Sequence, residues 1–250
     1  MGVALVTPFT KNDEVDYAAL EKLVQMHIDS GTSFLCVQGT TAETPTLTIE
    51  EKREIRKRII KQVDGRMPIM LGVGGNCTRA VVNELQTEDL TGVDAILSVA
   101  PYYNKPVQEG IYQHYKAIAN ATELPIYMYN VPGRTGVNIL PSTVVRVANE
   151  CPNIVGYKAA SGNLAQVKEL IAKKNEAEEE LATIKANILS SMEFLDVRTW
   201  VTDNVRVTRK MPSTRFSFDL KRFKEVHSEI TDYDDYMKPS NVAGSLLVAI

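Results

Sequence analysis

Six short apolar runs, at residues 3–6, 34–37, 68–73, 95–99, 125–129 and 154–157, recur roughly every 30 residues, the length of one βα unit. The stretches between them carry apolar residues at helical spacing, as at Leu20, Leu23, Val24, His27 and Ile28. Thr48, with Glu51 three residues on, reads as a capping box that opens a helix. Thr78, and Pro141 followed by Ser142, mark further helix starts. Strands that alternate with helices imply a parallel sheet. Six units in succession point to an α/β fold of the (β/α)8 TIM-barrel type, with only six recognisable βα units. A doubly wound sheet is the competing architecture, but no Gly-x-Gly-x-x-Gly follows the first run.

The pattern breaks near Ala165. Thirteen of the 14 Gly and nine of the 11 Pro precede residue 166, leaving Gly244, Pro212 and Pro239 after it. Residues 165 to about 192 read as one long charged helix that includes the run 173–180. Segments 198–201 and 205–208 then flank Thr202-Asp203-Asn204, a hairpin turn. Segment 215–218 is a third strand candidate, and 219–229 reads as a short helix. The expected organisation is a partial βα barrel over 1–165 and an α+β tail over 166–250. The two further βα units that a closed barrel needs are not found in the tail.

Composition narrows the function classes. Lys+Arg 28 against Asp+Glu 31 leaves a net charge of -3, with no basic surplus for nucleic acid or anionic membrane. The apolar runs are too short to span a bilayer. The N-terminal residues lack the basic and apolar regions of a signal peptide. Cys36, Cys77 and Cys151 are widely spaced, which argues against a disulfide framework or a zinc module and for a reducing cytoplasm. With three scattered His and no Cys-x-x-Cys, no metal site is expected.

In a βα barrel the chemistry sits at the C-terminal strand ends. Those ends read Gly39-Thr40-Thr41-Ala42-Glu43, Gly72-Val73-Gly74-Gly75-Asn76, Pro101-Tyr102-Tyr103-Asn104, Tyr129-Asn130-Val131-Pro132-Gly133-Arg134-Thr135-Gly136 and Gly156-Tyr157-Lys158-Ala159-Ala160-Ser161-Gly162. Lys158 is the sharpest candidate. A lysine finishing an apolar strand points into a partly desolvated site, which favours the neutral amine that attacks a ketone. The alternative is a lysine snorkelling at a strand end. Tyr129 is a candidate proton relay or a rim tyrosine. Thr40 and Thr41 are carboxylate-holding or turn hydroxyls. Arg134 is a carboxylate clamp or a solvated loop arginine. His27 and His114 lie within helical patterns and read as structural.

Together with Val6-Thr7-Pro8-Phe9 and Lys105-Pro106, these loops resemble the dihydrodipicolinate synthase (4-hydroxy-tetrahydrodipicolinate synthase) family in order and spacing, over about residues 1–165. The resemblance implies a class I aldolase-type lyase on a βα barrel, usually a homo-oligomer. Such an enzyme condenses pyruvate with aspartate 4-semialdehyde in lysine and diaminopimelate biosynthesis. It implies a Schiff base between Lys158 and pyruvate, with no cofactor beyond that covalent imine. It further implies a proton relay of Tyr129, Thr40 and Tyr103, the last reaching in from a neighbouring subunit. Thr41 would hold the pyruvate carboxylate and Arg134 the semialdehyde carboxylate. N-acetylneuraminate lyases are related, but they usually carry Ser before Thr in the second-strand loop and lack the arginine.

The chain departs from the family pattern in three places. Ala159 stands where a Glu usually follows the imine lysine. Lys52 and Ala80 stand near where lysine-regulated synthases often carry a His and a Glu. The family's last two strands and helical C-terminal domain are not recognised after Asn163. The tail resembles, less specifically, the C-terminal segment of phage-type YqaJ-like recombination nucleases, through the helix 173–180, the hairpin around Trp200 and the segment 215–227. It lacks those enzymes' catalytic carboxylates, so no nuclease activity is expected. A non-catalytic fusion or scaffold that keeps the synthase loops is therefore the competing function.

Overall fold

Each of the six apolar runs forms a strand of one parallel sheet. They are β1 (Gly2–Ala4), β2 (Phe34–Val37), β3 (Ile69–Gly72), β4 (Ala95–Val99), β5 (Ile126–Asn130) and β6 (Ile154–Ala159). The strands lie side by side in chain order. Parallel crossovers are right-handed, so a sheet whose order never reverses keeps its helices on one face and curls around the other. The result is a curled half-barrel of α/β type. A doubly wound sheet needs a reversal of order, and none occurs here. The computed structural model describes residues 1–194, 199–201, 206–209, 214–218, 237–241 and 246–249. The chain divides into two compact units, Met1–Lys173 and Lys174–Ile250.

Six helices follow or connect the strands: α1 (Tyr17–Asp29), α2 (Ile49–Val63), α3 (Thr78–Thr87), α4 (Gln108–Ala119), the single turn α5 (Pro132–Thr135) and α6 (Pro141–Glu150). The Asp16 carboxylate caps α1 by accepting the Ala19 N–H at 2.9 Å. The capping box of α2 forms as expected: Thr48 Oγ1 accepts the Glu51 N–H at 3.2 Å, and the Glu51 carboxylate accepts the Thr48 N–H at 2.8 Å. The helices bury Leu20, Val24, Ile55, Ile59, Val81, Ile111, Ile118 and Val147 against Leu35, Leu71, Ile96, Ile126 and Met128 of the strands. Each such side chain contributes about 1.5–3 kcal/mol when fully buried.

The alternate strand residues face inward and form a second cluster. Cys36, Leu97, Tyr129 and Val131 are buried there, with Phe34, Met70, Val99 and Tyr127 half-buried around them. The β5–β6 pairing contains one irregularity. Ile154 pairs with Ile126, but Gly156 pairs with Tyr127, so Val155 is an inserted residue. Before the insertion Ile154 faces the helices. After it Gly156 faces inward, Tyr157 outward and Lys158 inward. Gly156 is required by packing, because a Cβ there would lie 2.2 Å from the Tyr127 ring.

The next helix, α7 (Leu164–Phe194), has 31 residues. A helix interior uses neither Gly nor Pro, so turn residues become scarce where α7 begins. The division between compact units falls later, within the helix. In the C-terminal unit, β7 (Thr199–Val201) and β11 (Leu246–Ala249) both pair antiparallel with β8 (Arg206–Arg209). The strands β9 (Thr214–Phe218) and β10 (Met237–Asn241) form a separate antiparallel pair. Thus Trp200 pairs with Val207, in the pairing that the hairpin reading requires. The turn at 202–204 and the short helix at 219–229 lie outside the described residues. Sequence patterning did not anticipate β10 or β11. Pro239, Lys238 and Ser240 leave β10 without strand alternation. Among the described residues, no helix is long and apolar enough to cross a membrane.

Two measurements check this packing. Gly156→Ala is expected to destabilise the chain by about 1–3 kcal/mol, read as a lower urea midpoint at unchanged m. His114 on α4 is buried, with Nδ1 paired to Thr78 Oγ1 at 2.8 Å and Nε2 unpartnered. Burial pushes its pKa down from 6.5 to about 4. The unfolded chain therefore takes up a proton first as pH falls. Stability should drop by about 3 kcal/mol between pH 6.5 and about 4 on this account. His114→Gln should flatten that part of a denaturation-versus-pH curve.

Candidate active site

The loops at the C-terminal ends of β2 to β5 enclose a cavity of about 340 Å³. After β2, residues Thr40–Ala42 and Thr44–Thr46 form two short 3-10 turns. They are held by side chains: the buried Thr7 hydroxyl donates to Ala42 O at 2.8 Å, and the Thr44 hydroxyl donates to Gly39 O at 2.9 Å. Gln38, just before the turns, is buried and adopts φ 56. Its amide donates to Lys52 O at 2.6 Å. Gly72 makes this possible, since a Cβ there would meet Gln38 O at 2.1 Å. Glu43, Tyr103 and Lys105 also take left-handed backbone on these loops. Such backbone costs of order 1–3 kcal/mol per residue and persists only where the surroundings enforce it.

The sequence candidates divide into three groups. Thr40, Tyr129 and Arg134 line the cavity together. Lys158 stands beside Tyr129 in register, with Nζ 4.4 Å from the centroid of the Tyr129 ring. An ammonium over an aromatic face at this distance is attracted by the ring quadrupole. Thr41 and Tyr103 do not line the cavity. Thr41 is exposed, and Tyr103 is 84% exposed on its loop. Arg134 is also largely exposed, on the turn α5 that Gly136 ends with φ 70.

The charge around the cavity is one-sided. Lys52 and Arg134 line it, and no Asp or Glu does. Such a lining attracts an anionic ligand such as a carboxylate. Cys36 lies on the inner face of β2, and burial pushes its thiol up, partly offset by the Lys158 charge. The sequence patterns assigned no role in the cavity to Gln38, Thr44, Lys52 or Thr7. The signal for Thr7 and Thr44 was available, as hydroxyls beside Gly- and Pro-rich strand ends. Gln38 had none, because its role depends on a left-handed backbone.

A family model for the dihydrodipicolinate synthetase family matches residues 1–184. The chain belongs to this family. The match runs past the half-barrel into α7. The 4-hydroxy-tetrahydrodipicolinate synthase of Phocaeicola vulgatus is 61% identical over 174 residues, which cover 70% of this chain and 59% of that protein. The synthase of Thermotoga neapolitana is 38% identical over 236 residues, covering 92% of this chain and 80% of the relative. Among solved structures, a chloride-inhibited dihydrodipicolinate synthase from Acinetobacter baumannii, complexed with pyruvate, shares 50% identity at a TM-score of 0.67. That likeness covers 70% of this chain and 60% of the other. The chain thus spans about three fifths of the length of the Phocaeicola synthase.

Thiol chemistry reports on the packing of both faces of the sheet, with Cys36 in the inner cluster and Cys151 in the helix-side core. Cys77 is exposed, whereas Cys36 and Cys151 are buried with thiols pushed up by that burial. An aromatic disulfide reagent should modify Cys77 rapidly in the native chain, and the other two only after denaturant is added.

Proposed function

We propose that the chain is a pyruvate-dependent lyase that condenses pyruvate with aspartate 4-semialdehyde through a Schiff base at Lys158. The observation that carries this reading is the pairing of Lys158 with Tyr129, an amine and a phenol 4.4 Å apart by ring centroid, beside a cavity lined by Lys52 and Arg134. Membership of the synthetase family supports the substrate class. In this reading the Lys158 amine adds to the pyruvate ketone carbon. The resulting carbinolamine loses its hydroxyl as water, with Tyr129 supplying the proton, which leaves the imine protonated. The protonated imine draws electrons from the pyruvate methyl group, which gives up a proton to the Tyr129 phenolate to form an enamine. The enamine carbon bonds to the aldehyde carbon of the second substrate as the C=O π bond opens and its oxygen takes the proton from Tyr129; water then hydrolyses the re-formed imine and returns the free amine.

Thr40 completes the proton relay with Tyr129, and Arg134 receives the semialdehyde carboxylate as a bidentate donor. Thr41 takes the pyruvate carboxylate. Tyr103, projecting from its loop, serves the site of a neighbouring copy in a homo-oligomer. A second reading, a non-catalytic protein that keeps the synthase loops, draws on the extent of the sheet. Among the described residues no seventh or eighth parallel strand joins β1 to β6.

Borohydride reduction in the presence of pyruvate separates the two. The expected result is a reduced pyruvate adduct on the peptide that contains Lys158, and no adduct after Lys158→Ala. Tyr129→Phe should slow adduct formation by about 10²-fold, the range of a positioned acid–base group. A folded chain, verified by circular dichroism, that yields no adduct would establish the non-catalytic reading.

A further inference from the structure

A buried polar cluster lies directly behind the Lys158–Tyr129 pair, on the helix-facing side of β5 and β6. The Asn130 amide donates to the Tyr157 hydroxyl at 2.7 Å and to Asn138 Oδ1 at 2.7 Å. Asn130 Oδ1 accepts the Ile139 N–H at 3.1 Å. Gln166, in the first turn of α7, donates to the Tyr157 hydroxyl at 3.1 Å and to Ile139 O at 2.7 Å. Its own oxygen accepts the Asn138 amide at 2.9 Å. Asn130 is fully buried and Gln166 is 8% exposed. No side-chain nitrogen or oxygen of this cluster is left without a partner.

The cluster joins three pieces of the site. Asn130 lies between Tyr129 and Val131, both of which line the cavity. Tyr157 precedes Lys158 on the neighbouring strand. The Asn130 contacts to Asn138 and Ile139 close the loop that carries Arg134 back onto the end of β5. Apolar packing resists separation of such pieces but is non-directional, whereas a satisfied buried network fixes one arrangement. Loss of the Tyr157 hydroxyl would leave the amides of Asn130 and Gln166 each short of an acceptor. The strand end could then relax by rotation or sliding.

We propose that Asn130, Tyr157 and Gln166 are positioning residues that set the spacing of Lys158 from Tyr129 and hold the Arg134 loop in register with both. This rests on the imine reading of Lys158. It assigns these residues no contact with substrate, so their effect passes through the placement of the amine. A reacting amine displaced by about 1 Å can lose up to 10²-fold in rate.

The test uses the full chain and measures the initial rate of borohydride trapping with pyruvate across neutral and alkaline pH, by intact mass spectrometry. Tyr157→Phe is expected to lower the trapping rate at saturating pyruvate about tenfold and to move the midpoint of its pH profile. The pyruvate concentration for half-maximal trapping should change less than about twofold, since ground-state binding groups are intact. Gln166→Met, close in volume but unable to donate or accept, should move both readouts in the same direction and serves if Tyr157→Phe does not fold. Folded variants that trap at the wild-type rate with the wild-type midpoint would overturn the proposal and leave the imine reading standing. Absence of a wild-type adduct would overturn both.

Discussion

One inserted residue sets the geometry on which the site depends. Strand side chains alternate between faces, so the face shown by residue 158 is decided by every residue before it in β6. Ile154 packs outward with Ile126 in the main core. Unbroken alternation from there would turn Lys158 toward the helices. Val155 adds one residue without adding a pair, and the phase reverses. Lys158 then faces the concave side beside Tyr129, and Tyr157 faces the helices beside Asn130. The same reversal requires Gly156, the only residue type that fits under the Tyr127 ring.

The half-barrel was largely legible because parallel strands covered by helices form near-continuous apolar runs bounded by Gly and Pro. Runs 34–37 and 95–99 coincide with β2 and β4 as observed. The first run falls a residue or two late, since β1 is a short half-buried edge strand. Residue types at strand ends pointed to Thr40, Tyr129 and Arg134, which line one cavity, and to Lys158, which stands beside Tyr129. What stayed hidden depends on phase and backbone rather than on residue type. Gln38 works through a left-handed φ, and the Asn130–Tyr157–Gln166 cluster exists only because of the insertion at Val155. The C-terminal strands were partly hidden for a different reason. The strand β9 was legible at 215–218, but its partner β10, Met237-Lys238-Pro239-Ser240-Asn241, carries no strand alternation.

The cavity draws its walls from β2, β3, β4 and β5, which are consecutive neighbours in the sheet. That contiguity explains how a chain spanning about three fifths of the Phocaeicola relative still brings these groups together. Curvature is a local property of right-handed crossovers, so it does not wait for closure of the barrel. The electrostatic character is local as well, because Lys52 arrives on α2 and Arg134 on α5.

Gln166 sits beyond the last strand, yet its amide reaches Tyr157 and Ile139. The unit that can be transplanted or joined to foreign sequence therefore ends after the first turn of α7, not at the end of β6. A splice made just after Lys158 would strand the Tyr157 hydroxyl and the Asn138 amide without their shared partner. A splice made a few turns into α7 leaves that partner in place, since the helix from Lys174 onward belongs to the other compact unit. The change in sequence character near Ala165 thus falls one residue before the last group that the half-barrel needs.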